Sequence, residues 1–253
     1  MFYSDLEIRE VFHLSLLRML VGFVPLSSVV LKGGSNLRFF FGSIRYSEDM
    51  DLDVQDLEVH TLQDTVISIL ESDALGDSLR TYGIDQIVPP NLEYAKQTET
   101  VQRFKVHLLT GAGDDLFTKI EFSRRGITED FLSEGVLIER LGRYRMAPMV
   151  VPHYSSPSAL RQKFVALRDR HQAEARDVFD IYLLQTQPEV MQYDLKAEFS
   201  SQERNAITER VYRISFEEFR DTVLNFLSPE DRSSYDIETV WDEMRLSVVD
   251  ILE

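Results

Sequence analysis

Apolar residues recur three or four apart at Ile8, Phe12, Leu16, Met19 and Leu20, a spacing that predicts an amphipathic helix near the start of the chain. Ser4 followed by Glu7 is a capping-box pattern for its first turn, and Gly22 and Pro25 end it. Val29-Val30-Leu31 predicts a short buried strand that breaks at Gly33-Gly34, and residues 35–41 predict a helix stopped by Gly42. Next, Met50, Leu52 and Val54 alternate with Asp49, Asp51 and Asp53, the pattern of a strand with one apolar and one acidic face. Residues 61–75 predict an amphipathic helix. Between residues 79 and 141 β-formers alternate, and the expected strands are 92–94, 104–109 and 117–122, with Gly111-Ala112-Gly113-Asp114-Asp115 as the turn between the last two. Past Pro148 and Pro152 the character changes. Ser156-Pro157 starts a helix with Ser as cap and Pro in the first turn, and nearly everything from there to Glu253 reads as helix. The expected class is α+β: a mixed-sheet core with flanking helices over residues 1–150, then a helical region over 151–253. No internal repeat is visible.

Composition narrows the class of protein. In 253 residues, 43% are apolar, enough for a real core and too many for a disordered scaffold. The chain has no cysteine, which excludes disulfide frameworks, zinc ribbons, iron–sulfur clusters and cysteine nucleophiles, and fits a reducing, cytoplasmic location. Residues 14–31, the most apolar stretch, are interrupted by Arg18, Gly22, Pro25, Ser27 and Ser28, so no membrane span is expected. The acidic start does not read as a secretory signal. Twenty-seven Lys and Arg against 43 Asp and Glu leave a net charge of −16, which argues against broad coating of nucleic acid but leaves room for a local basic groove. Residues 217–253 hold eleven acids against Arg220, Arg232 and Arg245, and a solvated helical face accounts for them.

The residues that could do chemistry concentrate in 31–54. A strand, then Gly33-Gly34-Ser35, then a helix is a phosphate-binding layout, because glycines let backbone amides approach an anion and the helix start supplies free N–H groups. A plain tight turn would use the same residues. Asp49 and Asp51 leave the same face of a strand about 7 Å apart, a spacing at which two carboxylates can share a hard cation such as Mg²⁺. Solvent-facing strands carry acids too. Together the two motifs are explained by one site that holds triphosphate at the turn and metal at the strand. Glu121 is the candidate third carboxylate, since Lys119, Glu121 and Ser123 share the face opposite Ile120 and Phe122. Arg124 and Arg125, directly after, suit either a phosphate or a solubilised strand end. In the helical half, Lys163 flanks an apolar stripe of Leu160, Phe164 and Leu167, where a lysine either reaches out to water or meets an anion. Asp180 lies among Phe179, Ile181, Leu183 and Leu184, so it is either paired, with Lys163 or Arg176, or working; Asp177 is one turn earlier. The five histidines lack metal-ligand spacing, and neither Gly-x-Ser-x-Gly nor a Walker pattern occurs.

Gly33-Gly34-Ser35 followed by Asp49-Met50-Asp51 resembles the signature of the polymerase β-like nucleotidyltransferase superfamily. The longer run from Leu31-Lys32-Gly33-Gly34-Ser35 through Arg45-Tyr46-Ser47-Glu48-Asp49-Met50-Asp51-Leu52 is similar to the AbiEii/AbiGii toxin family of type IV toxin–antitoxin and abortive-infection systems. Lys119-Ile120-Glu121-Phe122-Ser123, the Lys163 segment and Arg176 through Leu184 resemble its downstream motifs in order, so the likeness covers about residues 5–185. The resemblance implies a nucleotidyltransferase core with a helical domain that contributes Lys and Asp to the active-site cleft. It implies Mg²⁺ (or Mn²⁺), a nucleoside triphosphate, an RNA acceptor such as a tRNA 3′ end, and a cognate antitoxin. Carried over, Lys32, Gly33, Gly34, Ser35, Arg45 and Ser47 would bind nucleotide. Asp49 and Asp51, or Asp51 and Asp53, would hold metal with Glu121, and Lys163 with Asp177 or Asp180 would be catalytic. The rival expectation is a non-catalytic nucleotide-binding or protein-interaction module of an abortive-infection system.

Overall fold

The computed structural model describes residues 3–92 and 97–253. They form two compact units: the first from residues up to 40 and 46–154, the second from 41–45 and 155–253.

The first unit opens with α1 (Asp5–Phe23). Its capping box is in place, with the Ser4 N–H donating to the Glu7 carboxylate at 2.8 Å and the Glu7 N–H donating back to the Ser4 hydroxyl. Then come β1 (Val29–Lys32), α2 (Gly33–Phe40), β2 (Met50–Val54), α3 (Val59–Leu70), α4 (Asp73–Arg80), β3 (Ile84–Val88), β4 (Val101–Thr110), β5 (Asp115–Ser123), β6 (Phe131–Gly135), α5 (Ile138–Arg143) and β7 (Val150–Tyr154). Among the described residues the strands make one mixed seven-stranded sheet in the order β3-β4-β5-β2-β1-β7-β6. β2 runs parallel to β5 and β1 to β7, and the other neighbours are antiparallel. Met50, Leu52, Phe104, Ile120 and Phe122 join Phe12 and Leu16 of α1 and Val66 and Leu70 of α3 in one apolar cluster. Each such buried side chain contributes roughly 1.5–3 kcal/mol. That burial commits the alternate residues of β2, β4 and β5 to the sheet's other face.

Several elements depart from the sequence-based expectation. α2 begins at Gly33 rather than Ser35, because Gly33 at φ +68° makes the reversal itself and no separate turn is needed. The helix expected over 61–75 is two, since Ser72 caps α4 by accepting the Leu75 N–H. β3, β6 and β7 escape the alternation rule. β3 exposes Asp85 and Gln86 together, four of the five residues of β6 are exposed, and β7 contains Pro152, which has no N–H for a ladder. Of the strand expected over 92–94, Leu92 lies in a turn and the rest is outside the described residues.

The second unit contains α6 (Ser156–Asp169), α7 (Ala175–Leu184), α8 (Pro188–Met191), α9 (Ser201–Arg213), α10 (Phe216–Thr222), α11 (Pro229–Tyr235) and α12 (Glu238–Asp250). The cap of α6 is Ser155, one residue before the expected Ser156, with Pro157 still in the first turn. Phe164, Phe179, Phe219 and Trp241 are fully buried, and the last two stack at 4.5 Å. None of the eleven acids in 217–253 is buried, as expected of a solvated face. No helix among the described residues is long and apolar enough to cross a membrane.

Candidate active site

Strand register assembles a charged face in the first unit. Arg103 of β4 lies opposite Glu121 of β5, Glu121 opposite Asp51 of β2, and Asp51 opposite Lys32 of β1. Register partners share a face. Lys119 and Asp49 lie two residues before Glu121 and Asp51, and Asp53 two after Asp51, so the same face gathers four carboxylates and three cations. Every cation has a carboxylate: Lys32 meets Asp53 at 2.5 Å, Arg103 meets Glu121 at 2.5 Å, and Lys119 meets Asp49 at 2.9 Å and, more distantly, Glu121 at 4.0 Å.

Asp51 is the remainder. Among the described residues its carboxylate accepts no hydrogen bond and makes no ion pair. Burial raises its pKa, and Asp49 and Glu121 push it further against the pull of Lys32 and Lys119. The same acids raise Lys119: burial works against its charge, but the bonded Asp49, then Asp51 and Glu121, outweigh it. Asp53, by contrast, is held from two sides, accepting the Tyr154 hydroxyl at 2.6 Å as well as Lys32. The donors around Asp51 are all carboxylate oxygens, the set that hard cations prefer. No three His, Asp or Glu side chains among the described residues are gathered tightly enough to hold an ion alone.

Both glycines open α2, and Gly33 packs against Asp51. A Cβ on Gly33 would lie 2.9 Å from Asp51 Oδ2, in a left-handed backbone that side chains disfavour. Gly33→Ala therefore displaces the Asp51 carboxylate and costs about 1–2 kcal/mol from backbone conformation alone. The expected result is a lower melting temperature with most nucleotide transfer lost, read by thermal melts and a labelled-nucleotide assay. The Ser35 hydroxyl is buried and donates to the Asp49 carbonyl at 3.2 Å, and Ser47 donates to the same carbonyl at 2.7 Å. Both serines thus fix the approach to Asp49.

The core side of the sheet adds residues that sequence reasoning did not single out. Thr118 donates its hydroxyl proton to the Glu48 carbonyl at 2.8 Å, so at 2.7 Å it can only accept from His13 Nε2–H, which fixes the imidazole tautomer. Burial drives the His13 pKa down to about 3, with Arg9 adding to it, so the ring is neutral at physiological pH. Being depressed, it contributes stability that is complete above the unfolded value of 6.5 and is lost as pH falls towards 3. Thr118→Val strands both the Glu48 carbonyl and the His13 N–H, so a loss of about 1–3 kcal/mol is expected in denaturant melts. Arg103 and Tyr154 were missed as well. Only the β4–β5 register brings Arg103 to Glu121, and only the fold brings Tyr154 to Asp53.

The second unit contains the other predicted residues as one buried network. Asp180 accepts a two-pronged bond from Arg45, at 3.0 and 2.8 Å, and meets Lys163 at 2.7 Å. Asp177 meets Lys163 at 3.0 Å and Arg170 at 2.7 Å. Both carboxylates are fully buried. Burial opposes the Asp180 charge, but Arg45 and Lys163 outweigh it and hold its pKa down at about 2. Lys163 stays charged because Asp180 and Asp177 overcome its burial. Arg176 pairs with Glu174 instead, and Arg124 is tied to Gln102 and the Leu57 carbonyl.

A model of the nucleotidyl transferase AbiEii toxin family, from type IV toxin–antitoxin systems, matches residues 16–243. A comparison with curated proteins finds no match. Among solved structures, the chain is similar to JHP933 from Helicobacter pylori, at 18% identity and TM-score 0.58 over 100% of this chain and 95% of that one. It is also similar to MenT4, a nucleotidyltransferase toxin from Mycobacterium tuberculosis, at 18% identity and TM-score 0.57 over 98% of this chain and 84% of the other. These likenesses show a shared α+β fold. With the family model spanning nearly the whole sequence, the chain belongs to the AbiEii nucleotidyltransferase toxin family and is a nucleotidyltransferase.

Proposed function

We propose that the protein transfers a nucleoside monophosphate from a nucleoside triphosphate to a hydroxyl of RNA, with a tRNA 3′ end as acceptor, and that Asp49 and Asp51 hold the Mg²⁺ it needs. The observation that carries this reading is Asp51, a carboxylate without a cation in a row where every cation already has a carboxylate. Two carboxylates completed by substrate phosphate oxygens and water is an ordinary Mg²⁺ environment. When bound, the ion supplies positive charge to the phosphate oxygens. Glu121, with Arg103 and Lys119, borders that site. The Gly33 and Gly34 amides and the α2 N-terminus face the triphosphate, and Lys32 adds charge beside them. The acceptor oxygen bonds to the α-phosphorus as the bond to the pyrophosphate oxygen breaks, pyrophosphate leaves, and the acceptor proton goes to solvent. Positioning and electrostatics carry such a transfer.

The Lys163–Asp180–Arg45 cluster supports a positioning role. Within the second unit, the two-pronged bond from Arg45 and the pair with Lys163 hold Asp180 in a fixed place. As a toxin of its family the protein is further proposed to have a cognate antitoxin. The test is incubation with each α-labelled NTP, Mg²⁺ and total RNA. Label on RNA that is lost with EDTA is expected. Label on protein, binding without transfer, or no binding each overturns the reading.

A further inference from the structure

The second unit has a cleft of about 200 Å³ lined by His171, Gln172 and Ala173, which follow α6, by Arg210 and Arg213 of α9, and by Ile214 and Glu218. That is several times the roughly 30 Å³ a water occupies in the liquid. Its one acid is engaged: Glu218 accepts from the Ser215 N–H and hydroxyl at 2.8 and 3.2 Å and from Gln172 at 3.1 Å. Its cations are only partly engaged. The Arg210 Nε–H is buried with no partner, although Arg210 also donates to the Arg170 carbonyl. Arg213 touches only the exposed Glu209, at 3.3 Å, and His171 has no partner among the described residues. A concave site with two guanidinium groups, a free imidazole and a satisfied acid calls for an anion with several oxygens, which the arginine fork recognises geometrically. On a chain of net charge −16, such a site is a local landing point for a polyanion that the rest of the surface repels.

We infer that this cleft binds a backbone phosphate of the RNA acceptor through Arg210 and Arg213, with His171 and Gln172 at its rim. The inference rests on the RNA-acceptor reading above and adds where the acceptor is gripped. Phosphate contacts of this kind set register without reading sequence. The test is binding of fluorescent tRNA to the full-length protein against salt, for wild type, Arg213→Gln and Arg210→Gln, alongside NTP affinity. Each variant is expected to weaken tRNA binding about 5- to 20-fold and to flatten the slope of log affinity against log salt by about one, with NTP affinity unchanged in both and melting temperature unchanged in Arg213→Gln. Because Arg210 also holds the Arg170 carbonyl, Arg213→Gln and an Arg213→Glu variant that weakens binding further keep the test independent of folding. If wild type labels RNA yet the variants bind it with unchanged affinity and salt slope, the cleft assignment is wrong and the transferase reading stands. If wild type labels a protein instead, the RNA acceptor is wrong and the cleft assignment fails with it.

Discussion

Asp51→Asn is expected to lower nucleotide transfer by roughly 10²–10³-fold or more while raising the melting temperature in metal-free buffer. The two effects share a cause. The Asp51 carboxylate lies in partial burial between Asp49 and Glu121 with no cation bonded to it, so the fold favours its protonated form. An acid whose pKa is raised by folding costs stability above that pKa and costs nothing below its unfolded value, here 3.8. The asparagine variant therefore gains at neutral pH, by about 2–4 °C for each kcal/mol removed, and the gain vanishes as pH falls towards the unfolded value. Asp53→Asn behaves oppositely, because it leaves Lys32 and the Tyr154 hydroxyl without their carboxylate. Melts at pH 4 and pH 7 with parallel transfer assays separate the two residues. A destabilised Asp51→Asn protein would mean that its charge is satisfied in the fold.

Asp180→Asn is expected to destabilise the second unit by about 3–5 kcal/mol, because Arg45 and Lys163 remain buried while the charge that holds both is gone. At about 2–4 °C per kcal/mol the fall in melting temperature is roughly 6–20 °C. Lys163→Met should cost less. It leaves Asp177 with Arg170 and Asp180 with Arg45, and a methionine fills the stem's volume. The pH dependence has a definite sign. Asp180 is depressed to about 2, so its stabilisation is complete above 3.8 and is lost as pH falls through that window. The wild type therefore shows an acid limb there that Asp180→Asn lacks. Equal losses for Asp180→Asn and Lys163→Met in urea melts would contradict the two-sided arrangement.

These residues also mark how far the sequence alone reaches. The acidic face of β2 is legible because alternation with Met50, Leu52 and Val54 permits only one arrangement once the apolar side is buried. Lys163 and Asp180 are legible because a charge on an apolar helical stripe must find a partner. The fold class follows from the same periodicities, and the family likeness rests on motif order. What stays hidden depends on register and long-range contact. Nothing local says that Arg103 will stand beside Glu121, that His13 on α1 will fix Thr118 behind Asp49, or that Tyr154 will hold Asp53. Strands β3, β6 and β7 are missed for a related reason: edge exposure and Pro152 remove the alternation that betrays a strand. The serines show a partner that the sequence could not give. Ser35 looks like a phosphate donor in the sequence, yet its buried hydroxyl holds the Asp49 carbonyl.

Asp51 is proposed as a Mg²⁺ ligand beside the Gly33-Gly34 turn that is proposed to hold the triphosphate. Calorimetric titration of a non-hydrolysable NTP analogue, with and without Mg²⁺, tests it most directly. Binding should require Mg²⁺ in wild type and be lost in Asp51→Asn while the variant remains folded. Equal affinity in EDTA, or metal-dependent binding that survives in Asp51→Asn, would contradict the account.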